Sequence, residues 1–287
     1  MTPFENALSP RQRDVLYCLR PILTAAGCPD PDMRKIVITE RSVREFSTYD
    51  GLTQAILDHD MPKRTGTTVL DHYTDGGFKG IMQSQALWLA PITLRLNQGE
   101  LDTFALEHGL DGYVDATGQA TPLMVQAAAD LFYTSFTEPP ASEHLWACFG
   151  ASGNGYRLRF EVTPGTASHV RAIRYHGSTT LLRQVNDALV KAGLPRFVLK
   201  GVSRLGAFYL PSVLQPENEV RLMAKRFPGS GAPVIPFGTS ERWPLPIGAP
   251  SVTASLTLTQ IGVRLRDPAA VKAKLPPWCA TVSVVAD

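Results

Sequence analysis

The sequence lacks any apolar run of the roughly eighteen residues that a membrane-spanning helix needs, so no membrane partner is expected. It also lacks the short motifs of several common chemistries. No G-x-x-x-x-G-K-[ST] phosphate loop, no H-E-x-x-H zinc helix and no G-x-S-x-G nucleophile elbow occurs. The four cysteines, Cys18, Cys28, Cys148 and Cys279, show no C-x-x-C spacing, which favours reduced structural thiols over disulfides or zinc. The six histidines are dispersed, and His169 and His176 are too far apart for one helix face, so no metal site is expected. Charge is sparse: charged residues make up 19% of the chain and the formal net charge is +2. Nothing in that balance demands nucleic acid or a membrane surface, and stretches such as Lys225-Arg226 read as solvated faces.

What is present is globular. Hydrophobic residues make up 44% of the 287, enough for one large domain or two modest ones. The opening MTPFENALSPRQRDVL has no charged-then-apolar signal pattern. The expectation is therefore a cytoplasmic protein, or one secreted by a signal-peptide-independent route. No internal repeat or low-complexity tract is visible.

Residues 1–65 read as a helical N-terminal extension. Ser9-Pro10 suits the start of a helix carrying Val15, Leu16, Leu19, Ile22 and Leu23, stopped by Gly27 and Pro29. A second helix is expected over 42–57. From residue 66 to 287 the pattern turns to short strands with helices between them. Strands are expected over 67–74, 132–137, 156–162, 170–175, 220–226 and 256–263, with helices over 78–87, 122–131 and 179–192. Residues 227–250 hold six prolines and four glycines and read as a long irregular loop. Gly150-Ala151-Ser152-Gly153-Asn154-Gly155 precedes a strand rather than a helix, so it reads as a hairpin turn and not a dinucleotide fingerprint. The sum is an α+β fold with a mostly antiparallel sheet.

Three segments hold side chains able to do chemistry. Asp71-His72-Tyr73-Thr74 ends a strand before a glycine turn, where His72 suits either a strand hydrogen bond or a ribose or phosphate contact. Tyr133-Thr134-Ser135-Phe136-Thr137 alternates, with Ser135 and Thr137 on one face and Thr134 and Phe136 on the other. Hydroxyls on that face are suited to orienting a neighbouring carboxylate, or form an ordinary sheet face. Gln215-Pro216-Glu217-Asn218-Glu219-Val220-Arg221 puts two carboxylates on one side of an extended chain entering an apolar strand. A positioned carboxylate there would stabilise an oxocarbenium-like sugar during cleavage of an N-glycosidic bond. The other reading is a solvated loop with Glu219 paired to Arg221.

Taken in order, these segments resemble an uncharacterised bacterial domain family with the pattern H-Y-T…G…I…L-W, S-F-[ST]…L-W…G…F and E-x-R. That family is distantly similar to the ADP-ribosyltransferase superfamily. The match runs from about residue 67 to 265: His72-Tyr73-Thr74, Gly80-Ile81, Leu87-Trp88, Asn97 and Glu100, then Ser135-Phe136-Thr137 and Leu145-Trp146. Glu219-Val220-Arg221 and Leu258-Thr259-Gln260-Ile261-Gly262 complete it.

The resemblance implies an ADP-ribosyltransferase-like split sheet over 66–287 and an enzyme that consumes NAD, a toxin, effector or phage-defence protein. It implies that His72 holds the adenosine side of NAD, with Tyr73 and Thr74 beside it. Ser135 and Thr137 would take the place of the superfamily's strand hydroxyls, and Tyr73 or Phe136 would stack on nicotinamide. Glu219 would be the catalytic carboxylate and Glu217 would activate a macromolecular acceptor, protein or nucleic acid. Direct succession of Tyr73 on His72 departs from the superfamily's sets. An NAD glycohydrolase and an inactive nucleotide- or protein-binding module are the alternatives.

Overall fold

The computed structural model describes residues 3–287 except 97–100, 111, 178, 228 and 230–232. Helix α1 (Pro10–Ala25) starts where Ser9 and Gln12 cap each other's backbone amides, with Pro10 at the first position, where a missing N–H costs nothing. The helix expected over 42–57 is displaced. Val43–Glu45 is a strand antiparallel to Ile36–Ile38, and α2 spans Gly51–Asp60. The reason is Glu45, whose buried carboxylate accepts from the Leu52 amide at 2.6 Å and the Thr53 amide at 3.2 Å. Those are otherwise unpaired donors of a helix start, and Glu45 can reach them only from outside the helix.

Ten strands form the main sheet: β1 (Thr68–Thr74), β2 (Ala86–Pro91), β3 (Leu131–Thr137), β4 (Tyr156–Pro164), β5 (Ser168–Ala172), β6 (Glu219–Lys225), β7 (Ile235–Phe237), β8 (Ser240–Pro246), β9 (Ala254–Val263) and β10 (Ser283–Ala286). Its ladders are antiparallel except β9–β10. The fold is therefore α+β with a mostly antiparallel sheet. Further helices are α3 (Gly77–Ser84), α4 (Glu143–Cys148), α5 (Leu181–Lys191) and α6 (Pro268–Lys272). No helix among the described residues is long and apolar enough to cross a membrane.

Strand β3 decides the shape of the sheet. One edge pairs with β6 along its whole length, and β6 in turn pairs with β5. The other edge meets two strands: β2 at Phe132 and Tyr133, and β1 only at Thr137, opposite Asp71. Residues 134–136 have no strand partner there, and the sheet divides. One arm runs β1-β4-β9-β10 and the other β2-β8-β7.

Alternation along β3 and β6 gives each face its own core. Phe132, Phe136, Val220 and Leu222 point into an apolar core that also takes Leu70 and Phe160 from one arm and Leu89 and Trp243 from the other. Tyr133 and Met223 point the opposite way, under the helices. That second core joins Leu16, Leu19, Leu23 and Ile56 to Leu182, Val185 and Leu189, so residues 1–65 and 66–287 share it.

Two loop expectations are corrected. Residues 227–250 contain the β7–β8 hairpin, and β8 pairs with β2 through Trp243–Leu89 and Leu245–Leu87. Its prolines are compatible because β7 covers only residues 240–242, leaving Pro244 and Pro246 without a partner on that edge to miss their amide hydrogens. The glycine-rich 150–155 segment is a single 3-10 turn linking α4 to β4, with Ala151 and Ser152 at positive φ, and not a hairpin.

Candidate functional site

A cavity of about 740 Å³ opens where the two arms leave β3. That lies within the range of roughly 300–1,000 Å³ typical of small-molecule sites. Among its lining residues are His72, Tyr73, Ser135, Phe136, Thr137, Glu217 and Glu219.

The floor is built by register. Arg221 of β6 stands directly opposite Ser135 of β3, and Glu219 opposite Thr137, so all four side chains share one face. Ser135 Oγ donates to Glu219 Oε1 at 2.5 Å. Arg221 grips the same carboxylate with Nε on Oε1 at 2.8 Å and Nη2 on Oε2 at 3.0 Å. Arg221 itself is 1% exposed, stacked 4.3 Å over the Tyr133 ring, and donates to the Ala207 carbonyl at 2.6 Å. The Glu219 amide donates to the Tyr175 hydroxyl at 2.9 Å; burial pushes that phenol up to about 12, so it stays protonated. A carboxylate offers about four acceptor positions. Three are filled here, which leaves about one, on Oε2.

His72 stands across the opening on β1. Its Nδ1 lies 2.9 Å from the Ser135 carbonyl, so Nδ1 carries the hydrogen and Nε2 is left as an acceptor. This bond uses a backbone oxygen where β3 has no strand partner. Burial pushes the His72 imidazole below its ordinary range, with the bond to Ser135 pulling the other way. One residue earlier, Asp71 is fully buried and accepts from Arg157 at 3.1 Å and from Arg159 at 2.8 and 2.9 Å. These bonds lock β1 to β4, and Asp71 also makes the single β1–β3 pair.

The other expected residues are placed unevenly. Tyr73 packs edge-on against Trp146, ring centroids 5.3 Å apart, and burial pushes its hydroxyl up to about 12. Phe136 is buried in the core between the arms, beside the rings of His72 and Phe160. Thr137 is buried and donates to the Asn218 carbonyl at 3.3 Å. Thr74 does not line the cavity: it ends β1 opposite Tyr156, and two residues of strand rise, about 6.6 Å, carry it past the opening. Glu217 lines the cavity, but not as half of an extended pair. It closes a 3-10 turn over Ser212–Glu217, and Asn218 then turns through a left-handed conformation at φ 44°. That reversal separates the Glu217 backbone from the strand that holds Glu219. Asn97 and Glu100 lie outside the described residues.

The chain was compared with protein-family models, curated proteins and solved structures, and it matches none of them.

Two cations on the cavity wall escaped the sequence reading. Arg95 ends the turn after β2, and Arg242 lies on β8, within the proline-rich stretch 227–250. Arg242 sits 4.9 Å over the Phe237 ring, which in turn meets Trp88 edge-on at 5.2 Å. Burial pulls the Arg242 guanidinium down from its ordinary value. The alternation of Trp243, Leu245 and Ile247, all buried, was the signal that would have found this strand and the arginine on its other face. The arrangement joins a hydroxyl-held carboxylate, an imidazole acceptor, aromatic walls and two arginines around one opening. Such a set suits a ligand with sugar hydroxyls, a planar ring and negative charge.

Proposed function

We propose that this chain is an NAD-dependent mono-ADP-ribosyltransferase-like enzyme, with its cleft at the division of the sheet and with NAD as substrate. The observation that carries this reading is the Ser135–Glu219 hydrogen bond at the floor of the cavity, with His72 across the opening. In this reading the division of the sheet corresponds to the split of the transferase fold.

The open position on Glu219 Oε2 would accept from a ribose hydroxyl and face the positive charge that grows as the bond between nicotinamide and ribose breaks. The bonding pair leaves on the nicotinamide nitrogen, the ribose becomes oxocarbenium-like, and an acceptor nucleophile closes on it. Glu217 would take the proton which that acceptor loses. His72 Nε2 would accept from an adenosine-side ribose hydroxyl, and Arg95 and Arg242 would hold the diphosphate. With water as acceptor the same steps make a glycohydrolase.

A second reading, a binding module without turnover, is favoured by the double grip of Arg221 on Glu219. A catalytic carboxylate neutralised by a bound guanidinium has less charge to offer an oxocarbenium ion.

Incubation of the purified chain with NAD labelled in the adenylate separates these readings. Label on a macromolecule supports the transferase, and free ADP-ribose supports the glycohydrolase. A melting temperature raised by NAD without turnover supports the binding module. Neither turnover nor stabilisation by NAD removes the whole proposal.

A further inference from the structure

A second cavity, of about 620 Å³, lies between α3 and α6. Phe78, Lys79, Met82 and Gln83 reach it from α3; Ala270, Val271, Lys274 and Leu275 reach it from α6 and the turn after it. Each set follows the spacing i, i+1, i+4, i+5, so one face of each helical segment borders the groove. The Phe78 ring stacks on Tyr156 with centroids 3.6 Å apart and planes 10° apart, and the Arg266 guanidinium lies 4.9 Å over Tyr156. Beside the groove Met82 is tied down: its carbonyl accepts from Trp278 Nε1 at 3.1 Å, and its sulfur lies 3.8 Å from Cys279 Sγ.

The lining is apolar and the charges on it are mostly of one sign. Lys79, Arg266 and Lys274 face one acid, Asp267, whose two carboxylate oxygens already accept from the Ala269 and Ala270 amides at 3.1 Å. Among the described residues neither Lys79 nor Lys274 has an ion-pair partner. We propose that this groove binds an amphipathic organic anion. Its flat or aliphatic body would lie against Phe78, Met82, Val271 and Leu275, and its carboxylate or sulfonate head against Lys79, Lys274 and Arg266.

The size of the groove favours a small molecule over a protein segment. Its volume lies in the range of roughly 300–1,000 Å³ for small-molecule sites. Its two helices have only eight and five residues, short of the patch of about 800 Å² that a stable protein partner covers. None of its residues lines the first cavity, so the inference stands apart from the NAD reading. Because α3 joins β1 to β2, an occupant would brace one of the links between the two arms.

The test titrates the full chain with 1-anilinonaphthalene-8-sulfonate, follows its fluorescence, and repeats the titration with the uncharged N-phenyl-1-naphthylamine. Expected are saturable binding tighter for the sulfonate and displacement by dodecanoate. In the double variant Lys79→Glu/Lys274→Glu the affinity should fall by about tenfold or more, the scale of losing a hydrogen bond to a charged group. Ala270→Phe, at an exposed position, should weaken both probes by narrowing the groove without changing its charge. Unchanged melting temperatures show that the variants fold. Sulfonate binding that survives both variants, no saturable binding, or no displacement by dodecanoate overturns the proposal. So does binding of a glutamate-rich amphipathic peptide when neither small anion binds.

Discussion

Ser135 reaches Glu219 with its hydroxyl although its direct partner in the ladder is Arg221, so all three side chains meet on one face of β3 and β6. Among the described residues the hydroxyl is the one neutral donor to that carboxylate. Ser135→Ala should cost about 1.5–3 kcal/mol of stability, the scale of a hydrogen bond to a charged group. It should also lower NAD turnover by about tenfold, through a less fixed carboxylate. Urea unfolding and initial rates measured on the same preparation check both. Full turnover in Ser135→Ala would mean that Arg221 alone positions Glu219.

Glu219 has two roles that its variants can separate. Glu219→Gln keeps the shape and should lower any NAD turnover by about a hundredfold or more, the scale of losing one electrostatic stabiliser. Glu219→Gln and Glu219→Ala both leave the buried Arg221 without its counter-charge and should destabilise the fold by about 3–5 kcal/mol. The double variant Glu219→Gln/Arg221→Met should recover part of that stability but no turnover. Turnover in Glu219→Gln close to that of the unaltered chain would exclude Glu219 as the catalytic group.

Stability should fall in mild acid. Burial first, then the neighbouring Arg171, push His169 down to about 4, and burial also lowers His72 and His108. In the unfolded chain such rings titrate near about 6.5. Below that pH the unfolded chain takes up protons that the folded chain refuses, so the fold loses stability as pH drops from about 6.5 towards about 4. Above about 6.5 the rings are neutral in both states and add no slope. Urea midpoints across this window should decline, and His169→Gln should flatten the decline. An equal slope in His169→Gln would remove that residue from the account.

The helical start of the chain should be needed for folding. Leu16, Leu19, Leu23 and Ile56 pack in the same core as Leu182, Val185 and Leu189, and buried Arg171 of β5 pairs with Asp58 of α2 at 2.7 Å. A fragment of residues 66–287 would expose that core face. It should be protease-sensitive or associate, as seen in limited proteolysis and size-exclusion chromatography. A monomeric, cooperatively melting fragment would show that the core closes without α1 and α2.

Local signals in the sequence were legible and long-range ones were not. Ser9, Pro10 and Gln12 announce α1 because a cap is local chemistry. The alternation of Ser135 and Thr137 gave the correct faces of β3, because strand period does not depend on partners. Glu45 capping α2 from a neighbouring strand could not be read, since that contact depends on how the chain folds back. Proline count hid β8, because whether Pro244 is tolerated depends on how far β7 extends. Residue type and order single out His72, Ser135 and Glu219, and the structure brings the three to one cavity. Glu217 was misplaced because the left-handed turn at Asn218 breaks the extended chain that the spacing assumed.

The two arms of the sheet are fastened to β3 by very little: one residue pair at Asp71–Thr137 on one side and two at Ala90–Tyr133 and Pro91–Phe132 on the other. Mechanically, β3 is the pin of a joint and each arm is a lever. The levers are held by what they share, the core that packs Leu70 and Phe160 of one arm against Leu89 and Trp243 of the other, and the Ile247–Leu256 bridge between them. The clearance over Glu219 is then governed by whatever fixes the angle between the arms, and the shortest covalent tie that does so is residues 247–253, which run from β8 of one arm into β9 of the other.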